Sequence, residues 1–247
     1  MSLHLPRLGE APDAPFPPVE HALRRPDGLL AFGGDLSIPR LRNAYRHGVF
    51  PWFSEGQPIL WWSPDPRTVF ETAHLRPNRR LARTLRGRNW RVCADTAFVE
   101  VVHACAQAPR AGQDGTWITP EMQTAYAALH AAGWAHSIEV FDGARLVGGL
   151  YGIAIGRMFF GESMFSAETG GSKAALFALA RQMRRWDMPL MDAQVGNPHL
   201  SLLGATAWPR ARFIAALGEQ ADRAPPLTGP WVEAFGSQPV ATLGGPD

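Results

Sequence analysis

The sequence predicts an α/β (α+β) protein: a mixed, mainly antiparallel sheet with helices against it, preceded by a smaller N-terminal α/β domain. Three observations carry this expectation. From Ser137 to Phe165, three successive runs have the composition and period of strands joined by short turns. A helical stretch with Leu176, Leu179 and Met183 at core spacing follows, and then a further apolar run, Leu190–Val195. Upstream, Ser63-Pro-Asp-Pro66 interrupts the chain, because two prolines fit neither a helix interior nor a central strand. The expected boundary separates residues 1–66 from residues 67–247.

Taken in order, the chain begins with a Pro-rich extended segment. Gly28–Gly34 reads as a short strand ending in a flexible turn. Ser37 is a natural N-cap for a helix with Pro39 in its first turn, closed by Gly48. The aromatic stretch Phe50–Ser54 and Ile59–Ser63 is either a small core or a surface on which bases stack. Asn78–Arg86 has helical periodicity and brings Arg79, Arg80, Arg83 and Arg86 onto adjoining faces. With Arg76 they form a cluster that is either a solvated face or a phosphate-binding one.

Asp95–Gln107 reads as a helix capped by Asp95, and Gly115–Thr119 as a short extended piece. Thr119-Pro120-Glu121 caps a helix running to Gly133, with Met122, Tyr126 and Leu129 as its core stripe. Strands Ser137–Phe141 and Arg145–Ile155 flank a turn at Asp142-Gly143. Gly148, Gly149 and Gly152 suggest a bulge or a close backbone approach to a ligand. Gly156-Arg157 turns into Met158–Phe165, and a helix spans Ser172–Trp186 with Arg181, Arg184 and Arg185 near its C-terminal end. Pro189 stops it, and Trp231 and Phe235 anchor a Pro/Gly-rich tail.

Composition narrows the function classes. With 46% hydrophobic and 19% charged residues, the 247-residue chain buries a sizeable core and is not disordered. A formal net charge of +2 does not by itself imply a nucleic-acid partner. Lys173 is the sole lysine among 24 basic residues, so abundance of arginine is a compositional bias. Cys93 and Cys105 are too few for a disulfide framework or a zinc site and suit a reducing compartment. Met1–Pro18 has no apolar signal core, and Leu146–Gly156 is too short to span a bilayer. A soluble cytoplasmic protein without membrane contact is the expectation. The eight histidines show no ligand spacing, so no metal is expected.

The residues that stand out chemically are few. Glu162 lies in the otherwise apolar run Met158–Ser166, where an unpaired buried charge costs several kcal/mol. It is either part of a site or one half of a buried pair with Lys173 or an arginine. Asp192 and Gln194, two apart on the expected strand Leu190–Val195, point to one face. Asp192 is either functional or a satisfied structural carboxylate. The turn Gly170-Gly171-Ser172-Lys173 lies between the two acid-bearing strands.

Three strands, a helix with a Gly-containing start and a further strand resemble the core of GNAT-type acyltransferases. The motifs Asp27–Leu36, Gly48–Ser54, Ile59–Arg67, Gly115–Thr119, Ala135–Val140, Phe160–Ser166 and Asp192–Val195, in that order, resemble the bacterial leucyl/phenylalanyl-tRNA–protein transferase family. That resemblance implies transfer of Leu, Phe or less readily Met from tRNA to proteins bearing N-terminal Arg or Lys, which marks them for degradation. No cofactor is implied, because the aminoacyl ester is already activated. It further implies that Gln194 orients the attacking amine, that Asp192 supports Gln194, and that Glu162 faces the cationic acceptor. An apolar side-chain pocket would comprise Leu150, Phe159, Met164, Leu176, Leu179, Met183 and Met191, with Gly161 beside it. Trp52 and Trp117 would contact the aminoacyl-adenosine end, and Arg76, Arg79, Arg80, Arg83 and Arg86 would hold tRNA phosphates. Two other readings remain: a CoA-dependent N-acetyltransferase with pyrophosphate at the Gly170–Lys173 turn, and a non-catalytic RNA-binding protein.

Overall fold

Two sheets organise the chain. The computed structural model describes residues 5–109 and 116–245. The small sheet comprises β1 (Arg7–Leu8), β2 (Leu29–Gly33), β3 (Phe50–Pro51) and β4 (Leu60–Trp62), in the order β1-β2-β4-β3. Helix α1 (Ile38–Arg46) leaves β2, and the Ser37 hydroxyl accepts from Arg40 N at its start, as the N-cap expectation requires.

The large sheet has eight strands: β5 (Arg67–Glu71), β6 (Trp90–Ala94), β7 (Ala135–Asp142), β8 (Arg145–Ile155), β9 (Met158–Ser166), β10 (Leu190–Asp192), β11 (Thr206–Trp208) and β12 (Gln238–Pro239). Their order is β11-β5-β10-β9-β8-β7-β6-β12. Every pairing is antiparallel except that of β9 with β10. The sheet is therefore mixed and mainly antiparallel. Helices α2 (Arg79–Arg86), α3 (Phe98–Gln107) and α4 (Pro120–Ala131) occupy the connections before and after β6. Helix α5 (Gly171–Arg185) makes the crossover between the two parallel strands. Short α6 (Pro198–Leu202), then α7 (Arg210–Ala221) and α8 (Val232–Phe235), complete the α-helices among the described residues.

Two apolar clusters hold the layers. One joins Leu41 and Tyr45 of α1, Trp61 of β4, and Phe98 and Met122 of α3 and α4 to Tyr151, Ile153 and Phe160 of the large sheet. The other packs α5 and the tail residues Trp231, Phe235 and Leu243 against Val92, Val140 and Phe159. The tail anchors expected from sequence are thus buried.

Several expectations need correction. Asp95 does not cap α3: it has φ 57°, and Ala97 precedes the helix without a side-chain cap. The Asp95 carboxylate instead accepts from Ser137 N (2.9 Å), His136 Nδ1 (2.8 Å) and Trp231 N (2.7 Å), satisfying buried donors from β7 and the tail. Residues 116–119 form no strand, and Gly115 lies outside the described residues. The strand expected over Leu190–Val195 ends at Asp192 as β10, leaving Gln194 at φ 50° and Val195 exposed. The bulge expectation holds at Tyr151/Gly152, but the close approaches are to the protein's own backbone. A Cβ on Gly152 would sit 2.1 Å from Phe160 O, and one on Gly148 would sit 2.4 Å from Gly171 Cα.

Candidate active site

Strands β9 and β10 run in register only from Met158/Leu190 to Phe160/Asp192. Beyond that, β9 continues beside β8 while β10 stops, and the sheet opens. A cavity of about 830 Å³ occupies the opening. Its deep wall is apolar: Phe70 of β5, Leu150 of β8, Met164 of β9, Leu176 of α5 and Met191 of β10. Gly161 and Glu162 form its β9 edge, Asp192 and Gln194 lie opposite, and Trp52, Trp117 and the segment 195–200, with His199, also line it. A mostly apolar concavity with a few convergent polar groups is the usual form of a small-molecule site.

Glu162 is the centre of the polar wall. Its Oε1 accepts from Tyr45 Oη (2.9 Å) and Gln194 Nε2 (3.0 Å), and its Oε2 accepts from Tyr126 Oη (2.6 Å). Burial pushes its pKa up to about 7, with the negative charge of Asp192 acting the same way; the phenol donors and Arg67 pull it down. Both tyrosine phenols are raised well above their usual range, by burial first and then, repelling ionisation, by the Glu162 charge. The pairing with Lys173 or an arginine that the sequence left open is not formed.

Asp192 is sealed beneath the cavity. Arg67 grips it through both arms, Nε to Oδ1 at 2.8 Å and Nη2 to Oδ2 at 2.7 Å, and both side chains are fully buried. Arg67 also donates to Gly48 O at 2.9 Å and lies against the rings of Phe50 and Phe213. Asp192 Oδ1 then accepts Gln194 N at 3.0 Å, which fixes the left-handed backbone that turns Gln194 toward Glu162. Asp192 and Gln194 are therefore coupled through a hydrogen-bonded turn, and not by strand alternation.

Residues 69–218 match the family model of leucyl/phenylalanyl-tRNA protein transferase, and residues 34–65 match the model of that transferase's N-terminal domain. The leucyl/phenylalanyl-tRNA–protein transferase of Xanthomonas axonopodis pv. citri is 62% identical over 99% of this chain and 98% of its own. That of Xylella fastidiosa is 60% identical over 85% of this chain and 86% of its own. The chain belongs to the leucyl/phenylalanyl-tRNA–protein transferase family. It is an aminoacyltransferase. Among solved structures, a functionally unknown conserved protein from Staphylococcus epidermidis is similar at TM-score 0.40 and 10% identity, over 73% of this chain and 68% of that one.

In this transferase only some of the expected side-chain pocket is reached. Leu150, Gly161, Met164, Leu176 and Met191 line the cavity. Phe159, Leu179 and Met183 are not in its lining; they are fully buried in the cluster behind it, where α5 meets the sheet. Phe70 was not foreseen, because the run Arg67–Glu71 shows no alternation to mark it as a strand. Arg67 and Tyr45 were missed as well, and Tyr126 was read as core alone. No local signal joins residues so far apart in the chain.

The arginine cluster stands away from the cavity. Arg79, Arg80, Arg83 and Arg86 are exposed along α2 and do not line it. Arg76 is exposed and donates to the carbonyls of Thr72 and Leu75. The turn before α5 is sealed. Gly171 N donates to Glu168 O, Ser172 N to the Ser166 hydroxyl at 2.9 Å, and Ala174 N to Gly170 O. The amides of Gly171 and Ser172 are thus taken, and Gly148 presses against Gly171, which crowds the approach a pyrophosphate would need. Among the described residues no group of three or more His, Cys, Asp and Glu could hold a metal ion, and no helix is long and apolar enough to cross a membrane.

Proposed function

We propose that the protein transfers Leu, Phe or less readily Met from aminoacyl-tRNA to the α-amino group of proteins that begin with Arg or Lys, so marking them for degradation in the cytoplasm. The observation that carries this reading is the facing pair Glu162 and Gln194, 3.0 Å apart on the edge of an apolar cavity. An apolar donor side chain suits the deep wall, and a cationic acceptor suits the carboxylate.

The chemistry is attack by an amine on an ester carbonyl. An α-amine with pKa near 7.7–8.0 is partly neutral at cellular pH, so the site chiefly has to orient it and manage its proton. Gln194, fixed by Asp192, orients the amine. Trp52 and Trp117 hold the terminal adenosine by stacking, on the order of 1–3 kcal/mol per base. The exposed arginines Arg76, Arg79, Arg80, Arg83 and Arg86 hold acceptor-stem phosphates without reading sequence. In this reading residues 67–247 form a GNAT-like transferase domain and residues 1–66 a smaller domain that supplies Trp52. The sealed start of α5 is consistent with an acyl donor other than CoA.

The test is transfer of labelled leucine from charged tRNA to a peptide beginning with Arg, in the absence of CoA and ATP. Label is expected on that peptide and not on one beginning with Asp. Absence of transfer from both Leu- and Phe-charged tRNA would refute the reading.

A further inference from the structure

We propose that Glu162, positioned by Tyr45 and Tyr126, is the group that takes the proton from the attacking amine; this rests on the acyl-transfer reading above. A count of protons leads to it. Tyr45 Oη and Tyr126 Oη lie 2.7 Å apart, Tyr45 Oη lies 2.9 Å from Glu162 Oε1, and Tyr126 Oη lies 2.6 Å from Oε2. Each such oxygen–oxygen contact needs a proton between its atoms. With Glu162 ionised, the two phenols supply two protons for three contacts, and one contact is left as facing lone pairs. A proton on Glu162 completes the ring. The ionised cluster is one proton short, and its carboxylate lies in the cavity's wall.

No other lining acid is as well placed. Asp192 is clamped through both oxygens by the charged guanidinium of Arg67 and is fully buried, whereas the three donors to Glu162 are neutral groups. A neutral amide oxygen, as on Gln194, is a very weak base. The charged and titratable groups facing Glu162 are Tyr45 from α1, Tyr126 from α4, Arg67 from β5 and Asp192 from β10, with Tyr151 of β8 behind the phenols. Their balance, with burial, sets its pKa at about 7, close to the operating pH at which a general base is most effective.

The step balances. The amine nitrogen bonds to the ester carbonyl carbon, and one N–H proton passes to Glu162. The bond from that carbon to the ribose oxygen breaks, and the ribose oxygen takes the proton, leaving Glu162 ionised for the next turnover. Glu162 is the catalytic residue here. Tyr45 and Tyr126 are positioning residues, placed by α1 and α4 from opposite sides of the chain's midpoint.

The experiment measures kcat and KM for leucyl transfer from charged tRNA to an Arg-peptide, between about pH 6 and 8.5. The wild type should lose kcat/KM at low pH through two titrations, that of the acceptor amine and that of Glu162. Glu162→Gln should lower kcat by about 10²–10⁴-fold and leave only the amine's titration. Tyr45→Phe and Tyr126→Phe keep the packed rings but remove a donor to the carboxylate. Each should move the Glu162 limb along the pH axis while leaving the amine's titration in place. A Glu162→Gln enzyme that keeps both titrations, or that changes only KM for the peptide, would overturn the assignment. So would Phe variants slowed equally at every pH. A wild type that transfers nothing would instead overturn the functional reading beneath it.

Discussion

Glu162→Gln should raise the stability of the protein at neutral and alkaline pH. The carboxyl titrates at about 7 in the folded chain, against 4.5 when freely solvated. Between those values the folded state binds a proton that the unfolded state has released. Stability from this group therefore falls as pH rises from about 4.5 to about 7 and is level above. At 1.36 kcal/mol per pH unit, the span from 4.5 to about 7 amounts to about 3 kcal/mol. That is an upper value, since one edge of the side chain meets the cavity. Glutamine keeps the shape without the charge, and any change in its hydrogen bonds adds an offset that does not vary with pH. The assay is urea unfolding of both proteins at half-unit intervals from about pH 4.5 to 8.5, read as the difference between them. A difference that grows in favour of the variant across this window is expected. A difference flat across it would show that Glu162 is ionised at ordinary carboxylate pH and would refute the reasoning.

Asp192→Ala should cost about 3–5 kcal/mol, because it leaves the Arg67 guanidinium buried without its partner; equilibrium unfolding measures this, and adding Arg67→Met should recover much of it. Phe70→Leu should favour the larger donor by widening the wall beside Met191, its cross-strand neighbour. The ratio of kcat/KM for Phe- over Leu-charged tRNA is expected to rise on the order of tenfold. Asp95→Ala should cost about 2–4 kcal/mol, since the backbone donors of Ser137 and Trp231 lose their acceptor; a loss of near-UV circular dichroism from Trp231 would accompany it. Replacing Arg79, Arg80, Arg83 and Arg86 together with Gln should weaken tRNA binding and flatten its salt dependence, with log-log slope changing by roughly 0.7–0.9 per lost phosphate contact. An unchanged slope would remove α2 from the tRNA surface.

Local signals made much of the frame legible. Ser37 and Thr119 mark the helix starts that the structure places at α1 and α4. The hairpin β7–β8, strand β9 and helix α5 follow from period and turn residues. What stayed hidden was buried on both faces or built from distant segments. Strand β5 is buried at four of five positions and so shows no alternation. Helix α7 did carry a signal, Phe213, Leu217 and Ala221 at spacing four, which went unused. In the site, Glu162 stood out because a lone carboxylate in an apolar run demands a partner. Its partners lie 117 and 36 residues away, and the Arg67 that holds Asp192 lies 125 residues away. A carboxylate's need for partners can be read locally, but their identity cannot.

The closed start of α5 bears on where this fold can go by mutation. Gly148 and Gly171 touch backbone to backbone, and the amides of Gly171 and Ser172 are already spent. A descendant that took up a pyrophosphate-borne acyl group there would have to prise the two main chains apart before any side chain could help. Single substitutions do not lead to that change: a side chain at either glycine clashes with main chain before it can open a site. Variation is left to act on the open end of the sheet, at the walls lined by Phe70, Met164 and Met191, where, on the proposed function, a new side chain would alter which acyl group fits without changing how its carrier is held.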